Sequence, residues 1–276
     1  MSETPSEAIA IARDYYDSND ADQFYASVWG GEDIHIGIYD TTEDIRTASR
    51  LTVDRMARKL GSLEGKNVID LGSGYGGAAR VLAREHGARV TCLNLSEVEN
   101  RRSRRLNEIA GLQDRITVVD GSFDDLPFPS ECFDIAWSQD AILHAPRRKI
   151  VLHEVERVLK RGGMFAFTDP MQADEVPDPD ALKPIYDRIH LPDLASIGFY
   201  RKVLTGRGFK EVEVEELTHQ LGHHYARVRE VMLERREELD LDDAFVERMS
   251  AGLGHWVEGA ANGNLSWAIM VYRKEG

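Results

Sequence analysis

The stretch "IDLGSGYGG", Ile69 to Gly77, has the residue types of a ligand-binding loop. Gly72, Gly74 and Gly77 fit the spacing G-x-G-x-x-G, which lets a ligand approach the backbone at a strand-to-helix turn. Two kinds of ligand suit such a loop: the pyrophosphate of a dinucleotide, or a sulfonium amino acid. Asp70 favours the amino acid, because a carboxylate accepts a hydrogen bond from an ammonium group and repels a pyrophosphate.

The residue expected at the ribose is the second discriminating feature. About 20 residues after the glycines, at the end of the next strand, a dinucleotide-binding chain places Asp or Glu. This sequence has Asn94 there, and an amide bonds a ribose hydroxyl less strongly than a carboxylate does. The position counts against an NAD-dependent oxidoreductase, which stays open as the alternative, and favours a methyltransferase.

Polar residues also end the other strands of the expected sheet. They are Asp70, Asn94, Ser122, Gln139 and Asp140. Ligands of open α/β sheets bind at the carboxyl ends of the strands, around the point where the strand order reverses. We therefore expect one elongated cleft with polar groups for an amino acid, a ribose and a base, and without a basic residue for phosphate. That combination favours S-adenosylmethionine.

The elements that must position these residues alternate along the chain, which indicates an α/β fold with a parallel sheet. Five strands are expected in "KNVIDLG", "ARVTCLNLS", "ITVVDG", "CFDIAWSQD" and "MFAFTDP". Ser96 is expected to cap a helix over Glu97–Ala110. The helix after the fourth strand is expected to end at Gly162–Gly163, because glycine commonly terminates helices.

Outside this centre the pattern changes. The first 60 residues are expected to be mainly helical, with a turn at Gly30–Gly31. Residues 171–205 hold four prolines and are expected to form a helical insertion that caps the sheet. A long charged helix over about Tyr225–Leu239, another ending near Gly259 and a strand over Leu265–Lys274 are expected to follow.

Composition bounds the function. The 276 residues include 34 Lys and Arg against 48 Asp and Glu, a net charge of −14, so a nucleic-acid footprint is not expected. No run approaches the roughly 18 apolar residues of a membrane span, and the N-terminus lacks the pattern of a signal peptide. With two cysteines, Cys92 and Cys132, a cytoplasmic location is expected. No spacing of residues indicates a metal site.

Several blocks together resemble class I S-adenosylmethionine-dependent methyltransferases, and most closely the branch that methylates sarcosine and dimethylglycine to glycine betaine. They are "VWGGEDIHIGIYD", "LGSGYGGAARVLA", "WSQDAILHAP", "TDPMQADE", "LGHHYARVRE" and "GLGHWVEGAANGNLSWAIM". The resemblance implies a Rossmann-like sheet with a helical N-terminal lid over 1–60. A methyltransferase domain over 61–276 would carry the cap insertion around 171–205.

The resemblance also implies roles for single residues. The cofactor S-adenosylmethionine, which leaves as S-adenosylhomocysteine, would be held by Asp70, Gly72, Gly74, Asn94, Leu95, Ser122, Phe123, Gln139 and Asp140. In the related phosphoethanolamine enzymes a lid Tyr pairs with a His after strand four, and Tyr16 and His144 stand at those positions as the implied catalytic pair.

The substrate expected from this resemblance is a small carboxylate whose nitrogen becomes a cation. The carboxylate requires cationic or N–H donors, and Arg188, His223 and His224 are candidates. Aromatic faces suit the developing cation. The aromatic candidates are Tyr16, Tyr25, Trp29 and Tyr200, and His35, in the same block as Trp29, is also expected to bind the substrate.

Each of these assignments has a structural alternative. Arg188 could pair with a neighbouring aspartate, each histidine could pack, and Trp29 could serve lid packing. A methyltransferase of phosphoethanolamine, a sterol or a fatty acyl chain is the alternative within the class. The expected partners are the free amino acids sarcosine and dimethylglycine, and binding to nucleic acid or to a membrane is not expected. The chain is expected to be a monomer or a homodimer.

Overall fold

A seven-stranded sheet forms the centre of the computed structural model, which describes residues 27–29, 31–189 and 192–275. The strands are β1 Asn67–Leu71, β2 Arg89–Asn94, β3 Ile116–Asp120, β4 Phe133–Gln139, β5 Leu159–Gln172, β6 Phe209–Glu216 and β7 Leu265–Lys274. Their order is β3-β2-β1-β4-β5-β7-β6, and β7 runs antiparallel to both of its neighbours. The strand order reverses between β1 and β4, where a ligand cleft is expected.

Helices flank the sheet. They are α1 Ile45–Leu60, α2 Gly77–Glu85, α3 Glu97–Ile109, α4 Arg148–Val158, α5 Lys183–Ile189, α6 Ile197–Gly206, α7 Thr218–Arg235 and α8 Asp243–Ala261, with 3-10 turns at Ile142–His144 and Pro179–Leu182. Ser96 caps α3 as predicted, its hydroxyl accepting from the Glu99 N–H at 3.2 Å. The Rossmann-like α/β class predicted from the sequence is confirmed.

Two predicted helix ends are wrong. The helix after β4 ends at Val158 rather than at Gly162–Gly163, because Leu159 already pairs with Phe133 and the glycines lie inside β5. The long charged helix begins at Thr218, seven residues before Tyr225. The residues before Tyr225 are mostly polar, but they continue the buried face of the helix through Leu221 and His224. Within the first 60 residues the described range 31–44 forms no helix, and Gly30 of the predicted turn lies outside the described residues.

The sheet separates two hydrophobic cores. Alternate residues of β7 show this, since Trp267 packs into one core and Tyr272 into the other. The first core is covered by α1, α2, α7 and α8, and the second by α4 and α6. Within the predicted insertion, α5 contacts α8, whereas α6 packs on the sheet against β6 and β7. Among the described helices, none has the length and apolar character to cross a membrane.

Candidate active site

The glycine loop follows β1 and leads into α2, as the sequence predicts. Gly72 has a φ of +74°, and a Cβ there would collide with the Cβ of Ala141 in the segment after β4. A Cβ at Gly77 would collide with the side chain of Asp33. The loop therefore needs glycine because two other chain segments close against it, as well as for its backbone angles.

A cavity of about 850 Å³ opens between the carboxyl ends of the strands and these segments. Of the predicted cofactor residues, those that line it are Asp70, Gly72, Gly74, Asn94, Leu95, Phe123, Gln139 and Asp140. His35 and His144 line it too. Ser122 lines an adjoining pocket of about 470 Å³, and Phe123 and His144 border both spaces.

Asp70 lines the cavity and is almost fully buried. Burial raises the pKa of its carboxyl group to about 7, with the charge of Asp33 adding to the rise and that of His35 opposing it. A buried carboxylate is stabilised by a cationic partner. Asp70 is therefore suited to receive an ammonium group.

Sequence reasoning missed a second buried carboxylate, Glu99 in the first turn of α3. It lines the cavity, is 4% exposed and accepts a hydrogen bond from the Asn94 amide at 2.7 Å. The end of β2 carries Asn94 instead of an acidic residue, and Glu99, five residues later, places a carboxylate beside it. Ser96 and Glu99 have the S-x-x-E spacing of a helix start, a signal that could have directed attention to Glu99.

The cavity is closed on one side by residues 31–39, here called the roof segment. The Glu32 carboxylate pairs with the buried guanidinium of Arg80 at 2.9 Å, and the Glu32 carbonyl accepts from the Gly77 N–H at 3.2 Å. Further along, the Ile36 N–H donates to the Asp140 carboxylate at 2.6 Å. The roof segment is thus joined to the glycine loop, to α2 and to the end of β4.

Helix α7 holds the far end of the roof segment. The Gly37 N–H donates to Nδ1 of His224 at 3.2 Å, the Tyr39 hydroxyl lies 2.8 Å from the same nitrogen, and the Tyr39 N–H donates to Gln220 at 2.8 Å. Burial lowers the pKa of His224 to about 3, so its ring is neutral and Nδ1 accepts these bonds. The ring of Trp29 packs edge-on against His224, with 5.0 Å between centroids.

His35 is the roof residue with an ionisable ring in the cavity wall. Its Nε2 lies 3.5 Å from Asp33 Oδ1, and both residues line the cavity. Burial opposes a charge on the ring, but the hydrogen bond and the charge of Asp33 raise the pKa of His35 above its ordinary value. The His35 ring and the Asp33 carboxylate are therefore neighbours in a largely buried wall.

The segment after β4 contributes Asp140 and His144. Asp140 has a φ of +51°, an uncommon value for a residue other than glycine, and accepts from the Trp267 indole N–H at 2.8 Å. Burial, with the charge of Arg148, lowers the pKa of His144 to about 4. At neutral pH His144 is therefore an uncharged imidazole with a lone pair.

Three predicted substrate residues lie elsewhere. Tyr200 is fully buried in the second core, where its hydroxyl donates to Asp169 at 2.6 Å. The Arg188 guanidinium lies against Gly252 and contacts the Met249 sulfur. His223 is half exposed and pairs with Glu43 at 2.9 Å.

The assignment of Arg188, Tyr200 and His223 to the substrate does not agree with these positions, because each side chain faces a partner away from the cavity. His224 is placed behind the roof segment. Tyr16 and Tyr25 lie outside the described residues. In the part of the chain that is described, no group of three or more His, Cys, Asp or Glu side chains is arranged to hold a metal ion.

Comparison with known proteins gives a consistent result. A family model described as "Methyltransferase domain" matches residues 69–167. A sarcosine/dimethylglycine N-methyltransferase of Halorhodospira halochloris is 50% identical over 97% of both chains. A dimethylglycine N-methyltransferase of Parasynechococcus marenigrum (strain WH8102) is 51% identical over 98% of this chain and 97% of its own.

A solved structure agrees with these relatives. A crystal structure from Galdieria sulphuraria, with a provisional assignment as a sarcosine dimethylglycine methyltransferase, has a TM-score of 0.88 and 42% identity. The match covers 93% of this chain and 99% of that one. The similarity therefore extends through the roof segment and α7 as well as the glycine loop.

Proposed function

The chain belongs to the sarcosine/dimethylglycine N-methyltransferase family, and we propose that it methylates sarcosine and dimethylglycine to give glycine betaine. The proposed methyl donor is S-adenosylmethionine, released as S-adenosylhomocysteine. The reaction joins a methyl group to a substrate nitrogen, so the site must bind two small molecules side by side.

The observation that carries the proposal is the chemistry of the cavity wall. It holds the buried carboxylates Asp70 and Glu99, and its described lining residues include no Lys or Arg. A pyrophosphate would require such cations or a free ring of N–H groups, whereas an ammonium group and a ribose are matched by carboxylates. The wall therefore suits a sulfonium amino acid nucleoside and does not favour the dehydrogenase alternative.

The residues present fit this cofactor at three places. Asp70 would receive its ammonium group, and Glu99 with Asn94 would bond its ribose hydroxyls. Leu95, Ser122, Phe123 and Gln139 border the space left for the base and the amino acid, together with Gly72, Gly74 and Asp140. When bound, the cofactor supplies an activated methyl group.

The chain itself must present an uncharged amine and exclude water. His144 is neutral and half-buried in the wall, so its lone pair can accept a hydrogen bond or a proton from the substrate nitrogen. Tyr16, assigned from the resemblance, would pair with His144. The roof segment encloses the reacting atoms, and holding two reactants in one geometry accounts for a large part of such a reaction's rate.

The substrate groups would be met from the roof side. His35, placed beside Asp33 in the cavity wall, is the proposed contact for the substrate carboxylate. The proposed aromatic contact for the cationic product is Tyr25, whereas Trp29 packs against His224 and does not line the described cavity. The proposal includes a division of the chain into a lid over 1–60 and a methyltransferase domain over 61–276. It also assigns the enzyme to the cytoplasm, where its product glycine betaine would serve as an osmoprotectant.

The phosphoethanolamine alternative receives no comparable support. A phosphoethanolamine N-methyltransferase of Haemonchus contortus shares the fold with a TM-score of 0.80, but at 20% identity. Similarity at that level shows the fold alone. Dimethylglycine is therefore the substrate to test first.

Two measurements on the purified chain test the proposal. Calorimetry should show saturable binding of S-adenosylmethionine, weakened by Asp70→Asn and by Glu99→Gln. S-adenosylhomocysteine should then accumulate with sarcosine or dimethylglycine and not with phosphoethanolamine. Absence of binding would refute the cofactor assignment, and turnover with phosphoethanolamine alone would refute the substrate assignment.

A further inference from the structure

The turn that carries His144 is only three residues long and depends on outside partners. Inside it, the His144 N–H bonds the Ala141 carbonyl and the Ala145 N–H bonds that of Ile142. The N–H of Leu143 has no partner within the turn and donates instead to the carboxylate of Asp169, on β5, at 2.9 Å. The orientation of the turn therefore depends on a side chain from the neighbouring strand.

Asp169 is itself held by a side chain of α6. Its second oxygen accepts from the Tyr200 hydroxyl at 2.6 Å, and Asp169 and Tyr200 are both fully buried. Neither residue lines the cavity. A continuous hydrogen-bonded path thus runs from α6 through β5 to the residue next to His144.

The carbonyl of the same residue is also held. Arg148 donates to the Leu143 carbonyl at 3.3 Å and to the Asp193 carbonyl at 2.6 Å. Leu143 is therefore held at both its N–H and its carbonyl, whereas the His144 ring has the cavity on one side. Small rotations of this turn would change the direction of the imidazole directly.

A buried carboxylate in an apolar core is costly unless it meets donors, and Asp169 meets two. Packing alone would be served by an apolar residue in this core of Phe165, Phe167 and Tyr200. An acidic residue at position 169 is explained by the Leu143 N–H, whose hydrogen bond it accepts. Tyr200, which the sequence assigned to the substrate, supplies the second of these two donors.

We propose that Asp169, oriented by Tyr200, is a positioning residue that fixes the turn Ile142–His144 and thereby aims the His144 imidazole into the cavity. The inference rests on the proposed function, because it assigns the consequence to methyl transfer. It concerns two residues that touch neither cavity nor substrate.

The second core provides a matched control. Tyr272 is also fully buried, packs against Phe167 and donates its hydroxyl to a carboxylate, that of Glu211 at 3.0 Å. Glu211 bonds Arg201 on the surface and not the turn. Tyr272→Phe therefore removes a comparable hydroxyl without touching the path to His144.

The test measures turnover of dimethylglycine by the full chain carrying Tyr200→Phe, Asp169→Ala, Asp169→Asn or Tyr272→Phe. We expect Asp169→Ala to lower kcat by about 10²-fold, because a catalytic group misplaced by about 1 Å can cost a factor of that size. Tyr200→Phe leaves the Asp169 carboxylate in place and should lower kcat by several-fold. Asp169→Asn, which keeps an acceptor, should recover part of the loss. The Kd of S-adenosylmethionine should stay within about twofold, and Tyr272→Phe should leave kcat unchanged.

Combination with His144→Ala separates positioning from general damage. If Asp169 acts through His144, adding Asp169→Ala or Tyr200→Phe to His144→Ala should lower kcat no further. Faster amide exchange of Leu143 in Tyr200→Phe, but not in Tyr272→Phe, should accompany the loss. An undiminished kcat in Tyr200→Phe, or an equal loss in the His144→Ala background, would overturn the inference. No turnover by the unmodified chain would overturn the proposed function instead.

Discussion

The two sides of the cavity are built differently. The floor, formed by the loop Ile69–Gly77 and the ends of β2 and β4, comes from strands that are neighbours in one sheet and from the turns that follow them. The roof segment is instead held by residues far away in sequence, such as His224, which bonds Gly37 across 187 positions. A cofactor common to many enzymes can be recognised by a local motif, whereas a substrate-specific wall must be assembled from distant segments.

Their electrostatics differ as well. The floor holds single buried carboxylates, Asp70 and Glu99, which call for a cationic or hydroxyl-bearing partner. The roof segment places Asp33 beside His35, pairs Glu32 with Arg80 of α2 and is held by the neutral ring of His224. Changes in the floor should therefore affect cofactor binding, and changes behind the roof segment should affect substrate use.

The largest effect is expected in the floor. Gly72→Ala should weaken S-adenosylmethionine binding by at least about 10²-fold, because the new methyl group collides with Ala141 as well as straining a φ of +74°. Gly111→Ala is the control, since Gly111 has a φ of +66° and open space around it. Calorimetry on both variants measures the difference. Equal binding by both would show that neither the collision with Ala141 nor the strained φ of Gly72 affects the cofactor site.

His144 stands between floor and roof, and its removal should separate binding from chemistry. His144→Ala should lower kcat for dimethylglycine by about 10²-fold, the usual size of a proton-transfer or aligning contribution. The Kd of S-adenosylmethionine should change by less than about twofold, because the floor is left intact. Steady-state kinetics with a binding titration measures both. An unchanged kcat would assign His144 to structure.

Behind the roof segment, two adjacent histidines allow a smaller and more selective test. His224→Ala removes the acceptor of the Gly37 N–H and should raise the KM for dimethylglycine about tenfold, with little change in cofactor affinity. His223→Ala, which breaks the exposed pair with Glu43, should change KM by less than about twofold. A larger rise in KM for His223→Ala than for His224→Ala would mean that the half-exposed ring of His223 contacts the substrate.

The smallest effect is a pH dependence of the floor. Burial raises the pKa of Asp70 to about 7, so its carboxylate is present above that pH and is lost as the pH falls. The affinity for S-adenosylmethionine should therefore weaken about fourfold between pH 8 and pH 6.5. Asp70→Asn should bind more weakly throughout and lose this dependence. Titrations at both pH values check it, and an unchanged slope in the variant would assign the dependence to another group.

The sequence was most informative about the floor for a physical reason. Strand periodicity and turn residues act locally, so the ends of β1, β2 and β4 could be placed from the sequence, and Asn94 with Gln139 came to the cavity as predicted. Glu99 was not predicted because it lies on a helix, whereas the predicted cofactor residues lie at or just after the ends of strands. Its S-x-x-E spacing from Ser96 is the local feature that distinguishes it from Glu97.

The residues that bind the substrate were harder to predict, because residue type does not reveal which partner a side chain contacts. Tyr200 and Arg188 have suitable chemistry for a methylated amino acid, but Tyr200 bonds Asp169 and Arg188 packs on α8. Both partners lie on other elements and depend on tertiary packing. The roles of Tyr16 and Tyr25 stay predictions.

The most direct test of the central claim is the identity of the product. The chain is incubated with S-adenosylmethionine carrying a deuterated methyl group and, in separate reactions, with glycine, sarcosine or dimethylglycine, and the products are identified by mass spectrometry. Dimethylglycine should yield glycine betaine bearing one deuterated methyl group, with an equal amount of S-adenosylhomocysteine. A chain that binds S-adenosylmethionine and yet methylates neither dimethylglycine nor sarcosine would contradict the account.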